Sequence, residues 1–93
     1  RVTLRGKRWR IRHRRMGRRT NLVGYADDPR TPGKAITLDS AQSPREYLES
    51  VIHECLHCCL WDLDESAVDE TARDIAELLW KMGYRRRSPL CSG

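Results

Sequence analysis

His53-Glu54-Cys55-Leu56-His57 is the stretch that most restricts how this chain of 93 residues can fold. It lies in a segment whose apolar residues, Leu48, Val51, Ile52, Cys55 and Cys59, recur at helical spacing. On a helix, positions four apart lie on one face, one turn apart, so the two imidazoles point the same way. A chain this short has a thin core and gains from a bound ion.

Two histidines are too few for a secure site, so a second element has to bring a further ligand towards them. Ser43-Pro44-Arg45-Glu46 opens the first helix, with Ser43 as N-cap, Pro44 at the first helical position and Glu46 completing a capping box. Trp61 to Asp64 breaks it near Leu60. Asp64 caps a second helix, Glu65 to about Met82, which Gly83 stops. The short connection makes an antiparallel hairpin and returns Glu65 to the end of the helix that carries His57.

The helical wheel chooses among the acids of the second helix. Val68, Ala72, Ile75 and Leu79 form the inward stripe. Glu65 lies within roughly 60° of Val68, and Glu70 lies about 160° away from it, facing water. His53, His57 and Glu65 are therefore the expected metal ligands, with zinc as the expected ion. Glu65 is also an acid that the helix dipole favours in a first turn. Asp69, one turn on, is placed to hydrogen-bond a ligand histidine. Glu54 is the expected catalytic base, taking a proton from a zinc-activated water. Tyr25, Tyr47, Tyr84 and His13 are candidates to stabilise the oxyanion.

The N-terminal part reads as strand. Arg8 to Arg14 alternates, with Trp9, Ile11 and His13 facing inward and Arg8, Arg10, Arg12 and Arg14 outward. Leu22–Ala26 and Lys34–Leu38 are further strands, and Asp27 to Gly33 is dense in turn residues. The expected fold is α+β: a small antiparallel three-stranded sheet followed by a two-helix hairpin. It forms one domain over residues 1–93: a basic ribbon at 1–21, a core at 22–84 and a loose basic tail at 85–93. Lys34–Leu38, as an open sheet edge above the metal, would bind substrate as an added strand.

Charge is polarised along the chain. Residues 1–19 hold ten Lys or Arg and no acid, whereas residues 46–77 hold ten acids and one base, Arg73. Arg8, Arg10, Arg12 and Arg14 suit a nucleic-acid backbone, and they also suit protection of a sheet edge. Cys55, Cys58 and Cys59 crowd one helix and Cys91 stands alone, which is no framework of disulfides and fits a reducing compartment. Cys55 and Cys59 read as small buried residues, and Cys58 offers a further ligand to a structural zinc. No apolar run is long enough to span a bilayer.

Taken together, His53-Glu54-Cys55-Leu56-His57 and Glu65-Ser66-Ala67-Val68-Asp69-Glu70-Thr71-Ala72 resemble the small gluzincin-type metallopeptidases. The resemblance is to the ImmA/IrrE-type enzymes and compact phage-encoded relatives, in which a Glu-x-x-Ala-x-x-Phe-Ala helix supplies the third ligand. Glu65 and Ala72 match that pattern; Val68 and Thr71 depart from it. The resemblance covers about residues 22–84 and implies a minimal zincin core and zinc-dependent cleavage of a protein or peptide substrate. It also implies a cytoplasmic protein, in the host cell if phage-encoded. The alternative is a basic nucleic-acid-binding or virion interaction module on a zinc-stabilised fold of the same kind.

Overall fold

The computed structural model describes residues 1–16 and 24–86, and its architecture is α+β. Four strands come first: β1 (Val2–Leu4), β2 (Lys7–Arg14), β3 (Gly24–Ala26) and β4 (Ala35–Asp39). Two helices follow, α1 (Pro44–Cys59) and α2 (Glu65–Lys81). The polar connection expected after Met16, Leu22 and Val23 of the second expected strand, most of the basic tail and Cys91 lie outside the described residues.

The sheet is mixed, with strand order β1-β2-β4-β3, and this corrects the expected antiparallel three-stranded sheet. β2 and β4 run parallel, pairing Arg10 with Ala35 through to Arg14 with Asp39. β3 lies antiparallel to β4 on its far side. The expected antiparallel sheet makes strands next to each other in sequence neighbours in space. In fact β4 inserts between β2 and β3, so the route from β2 to β4 includes a whole strand and is long enough for a parallel return. Val2–Leu4 is a true strand, joined to β2 by a two-residue turn. Arg5 and Gly6 both have positive φ, 48° and 79°, as a hairpin turn matched to strand twist requires.

The layers are sheet, α1 and α2. α1 packs on β1, β3 and β4, and α2 packs on α1. Trp9, Ile36, Leu38 and Cys58 form the core between sheet and α1, with Ile11, Val51 and Cys55 around them. The expected burial of Cys55 and Cys59 is only partial; Cys58 is the buried thiol. Burial pushes its pKa up to about 12, with Cys55 adding to the rise.

Local signals fix the helices. The Ser43 side chain accepts from the Glu46 N–H and donates to Glu46 Oε1 at 2.7 Å, a variant of the capping box. Arg5 Nη1 donates to the Cys59 carbonyl at 2.6 Å, so the β1–β2 turn closes the last turn of α1, just after His57. Asp64 caps α2 through the Ser66 N–H. α2 buries Val68, Ala72 and Ala76 fully, while Ile75, expected inward, is exposed. Small residues at four-residue spacing let the two helix backbones approach closely. Among the described residues, no helix is long and apolar enough to cross a membrane.

Candidate metal centre

The helix hairpin brings His53, His57 and Glu65 together. His53 Nε2 lies 3.2 Å from Glu65 Oε1, and His57 Nε2 lies 3.1 Å from Glu65 Oε2. The two Nε2 atoms are 3.1 Å apart. Bonds of about 2.0–2.1 Å from a tetrahedral zinc place donor atoms about 3.3 Å from one another, close to these separations. Two imidazole nitrogens and a carboxylate also match the donor chemistry zinc takes. The residues therefore fit a metal ion, and among the described residues they are the group arranged to hold one.

The local fold explains the convergence. His53 and His57 are one turn apart on α1, with rings 4.8 Å apart. Val68, one turn beyond Glu65 on α2, is fully buried and holds the start of that helix against α1. Glu65, which the wheel places near the inward stripe, is not buried: its side chain is 65% exposed and reaches the histidines from the rim. Asp69 Oδ1 stands 3.2 Å from His53 Nδ1, where a carboxylate orients the ring and leaves Nε2 to face the cluster. Glu70 is exposed and is not in the His53–His57–Glu65 group.

Glu54 faces the sheet side of the same cleft. It is 5% exposed, and no described residue gives it a hydrogen bond or ion pair. Burial pushes its pKa up to about 7, opposed by His53 and reinforced by the charge of Glu65. A cleft of about 280 Å³ opens here, lined by Gly24, Tyr25 and Ala26 of β3 with His53, Glu54, His57, Trp61 and Glu65. β3, an edge strand, borders the cleft. β4 is central in the sheet, which corrects the expectation that Lys34–Leu38 is the open edge.

Of the four candidate oxyanion residues, His13, Tyr47 and Tyr84 lie elsewhere. His13 Nε2 pairs with the Tyr47 hydroxyl at 2.7 Å, nearly two turns up α1 from His53. Tyr84 joins Tyr47 and Trp80 in a separate groove. Tyr25 borders the cleft, but its phenol bonds to Thr37, which lowers its pKa, and Arg12 and Arg14 act in the same direction. Two residues not singled out from the sequence do belong to the site. The Trp61 and His57 rings meet at a steep angle with centroids 6.4 Å apart, and the position of Trp61 four residues after His57 is the available signal. Gly24 carries no local signal. Cys58 lies in the sheet-facing core and is not in the His–His–Glu group, so it does not close a four-ligand structural site.

Comparisons with protein-family models, with curated proteins and with solved structures find no significant match.

Proposed function

We propose that this chain is a zinc-dependent peptidase that hydrolyses peptide bonds of a protein substrate. The observation that carries the reading is the pairing of two features in one cleft. His53, His57 and Glu65 offer three converging donors, and Glu54, a buried residue beside them, offers a carboxylate that no described residue hydrogen-bonds. The resemblance of the two helical motifs to ImmA/IrrE-type peptidases supports the same conclusion.

His53, His57 and Glu65 would hold the ion. Bound there, zinc supplies Lewis-acid polarisation of a carbonyl and makes water more acidic. Glu54 takes a proton from the attacking water and passes it to the leaving amine. Asp69 holds the His53 ring in the orientation that directs Nε2 inward. β3 pairs only with β4 among the described residues, so its outer edge can take an extended peptide as a further strand. The Trp61 ring at the mouth of the cleft gives an apolar wall for a substrate side chain.

The test is digestion of a mixed peptide library by the zinc-loaded protein beside Glu54→Gln. The wild type should cleave. Glu54→Gln should hold the same zinc and lose activity by about 100-fold or more. Undiminished cleavage by Glu54→Gln, or none by the loaded wild type, would refute the proposal.

A further inference from the structure

The face of the sheet turned away from the helices carries a second surface. Trp9 and Ile11 point into the core, so Arg8, Arg10, Arg12 and Arg14 project from the opposite face, and all four are exposed. No described element packs on that face. Successive arginines stand about 6.6 Å apart and the row is about 20 Å long, a spacing comparable to one nucleotide of extended backbone. None of the four forms an ion pair with a described residue. Arg12 Nη2 donates to Thr37 Oγ1 at 3.3 Å and Arg10 Nη2 to the Gly33 carbonyl at 3.4 Å. Both acceptors are neutral; Arg14 also hydrogen-bonds the Tyr25 phenol, and Asp39, its register partner on β4, is an acid on this face. The ten acids between residues 46 and 77 all sit on the helices or the turn between them.

The same face has an aromatic residue. Tyr25 pairs across β3 and β4 with Thr37, and Thr37 pairs with Arg12, so Tyr25 and Arg12 lie side by side over one buried threonine. Tyr25 is 36% exposed.

We propose that this arginine row, with Tyr25 beside it, is a binding surface for single-stranded nucleic acid. The guanidinium groups take successive phosphates and the tyrosine ring offers a stacking partner for a base. Protection of a sheet edge needs charge along the edge, but it needs no aromatic ring two strands away. A duplex suits the surface poorly. Three strands span about 10 Å before side chains are added, which already fills a major groove about 12 Å wide.

The experiment is a titration of the full chain with a short fluorescent single strand, its duplex and polyglutamate, over a range of salt. Four phosphate contacts predict a log–log salt slope of about −3, or about a 50-fold loss of affinity between about 50 and 200 mM. Arg12→Gln should flatten the slope by about 0.7. Tyr25→Ala should weaken binding several-fold and leave the slope unchanged. The Arg8, Arg10, Arg12 and Arg14 to Gln variant should lose binding while keeping the wild-type circular dichroism. Lys81→Ala should bind as wild type. Three results would overturn the proposal: wild-type slope in Arg12→Gln, duplex held as tightly as single strand, or polyglutamate held as tightly as either. The arginine variants read a face turned away from the cleft, whereas Tyr25 also borders that cleft, so Tyr25→Ala is scored by binding alone.

Discussion

Gly24 on β3 lies directly against Glu54 on α1: a Cβ at position 24 would stand 3.4 Å from Glu54 Cγ. It would also stand 3.1 Å from the Thr37 carbonyl oxygen and 3.2 Å from Leu38 Cδ2. The missing side chain thus lets an edge strand approach the proposed base. Gly24→Ala forces small shifts against backbone that cannot easily move, and overpacking of this kind costs about 1–3 kcal/mol. The expected result is a lower melting temperature with hydrolysis reduced beyond what the folded fraction explains. Wild-type activity and stability in Gly24→Ala would show that the close approach has no consequence.

The distances around His53 and His57 rank the acids of α2 as metal partners. Glu65→Ala removes a converging carboxylate and should abolish stoichiometric zinc in equilibrium dialysis. Asp69→Asn leaves the donors in place but removes the charge that orients His53, and should weaken zinc by about 10–100-fold. Glu70→Ala should bind zinc as wild type. Loss of zinc in Glu70→Ala alone would refute the assignment of Glu65.

The helices were legible in the sequence because their signals are local. Ser43-Pro44 and Asp64 mark starts that depend on neighbouring residues alone. The pairing of β2 with β4 was not legible, since strand neighbours are chosen by burial across the whole sheet. The helical wheel points to Glu65 through its nearness to Val68, yet the Glu65 side chain is exposed. The wheel weighted Ile75, whereas the interface selects Val68, Ala72 and Ala76 because small side chains bring the helices close. Gly24 and the His13–Tyr47 pair depend on contacts between distant segments, and nothing near them in sequence announces either.

Glu54 also predicts how the metal-free protein responds to pH. Its carboxyl is pushed up to about 7 in the fold, mainly by burial, against an ordinary value of 4.5. Between those values the folded chain keeps a proton that the unfolded chain has released. The unfolded state then binds fewer protons, so stability falls as pH rises through that window and the loss is complete above it. In chelator, the wild type should lose stability relative to Glu54→Gln on going from about pH 5 to about pH 8. A gap between the two proteins that stays constant over that range, followed by urea unfolding, would contradict the burial argument.

The α1–α2 spacing links stability to the metal centre. Ala72 is fully buried against α1, two turns beyond Glu65 on the same helix. Ala72→Leu adds three carbons where there is no space, and α2 has to tilt or shift outward. The fold should lose about 1–3 kcal/mol. The Glu65 carboxylate should also withdraw from His53 and His57, so zinc affinity falls although no ligand has been changed. Exposed Ile75, one turn around the helix, is the control: Ile75→Leu alters size at the rim and should leave both quantities near wild type. Thermal unfolding with and without zinc separates the two effects, because an ion bound only to the folded state raises the melting temperature according to its affinity. The zinc-induced rise should shrink in Ala72→Leu and persist in Ile75→Leu. An unchanged rise in Ala72→Leu would mean that Glu65 reaches the histidines without help from the close packing of the hairpin.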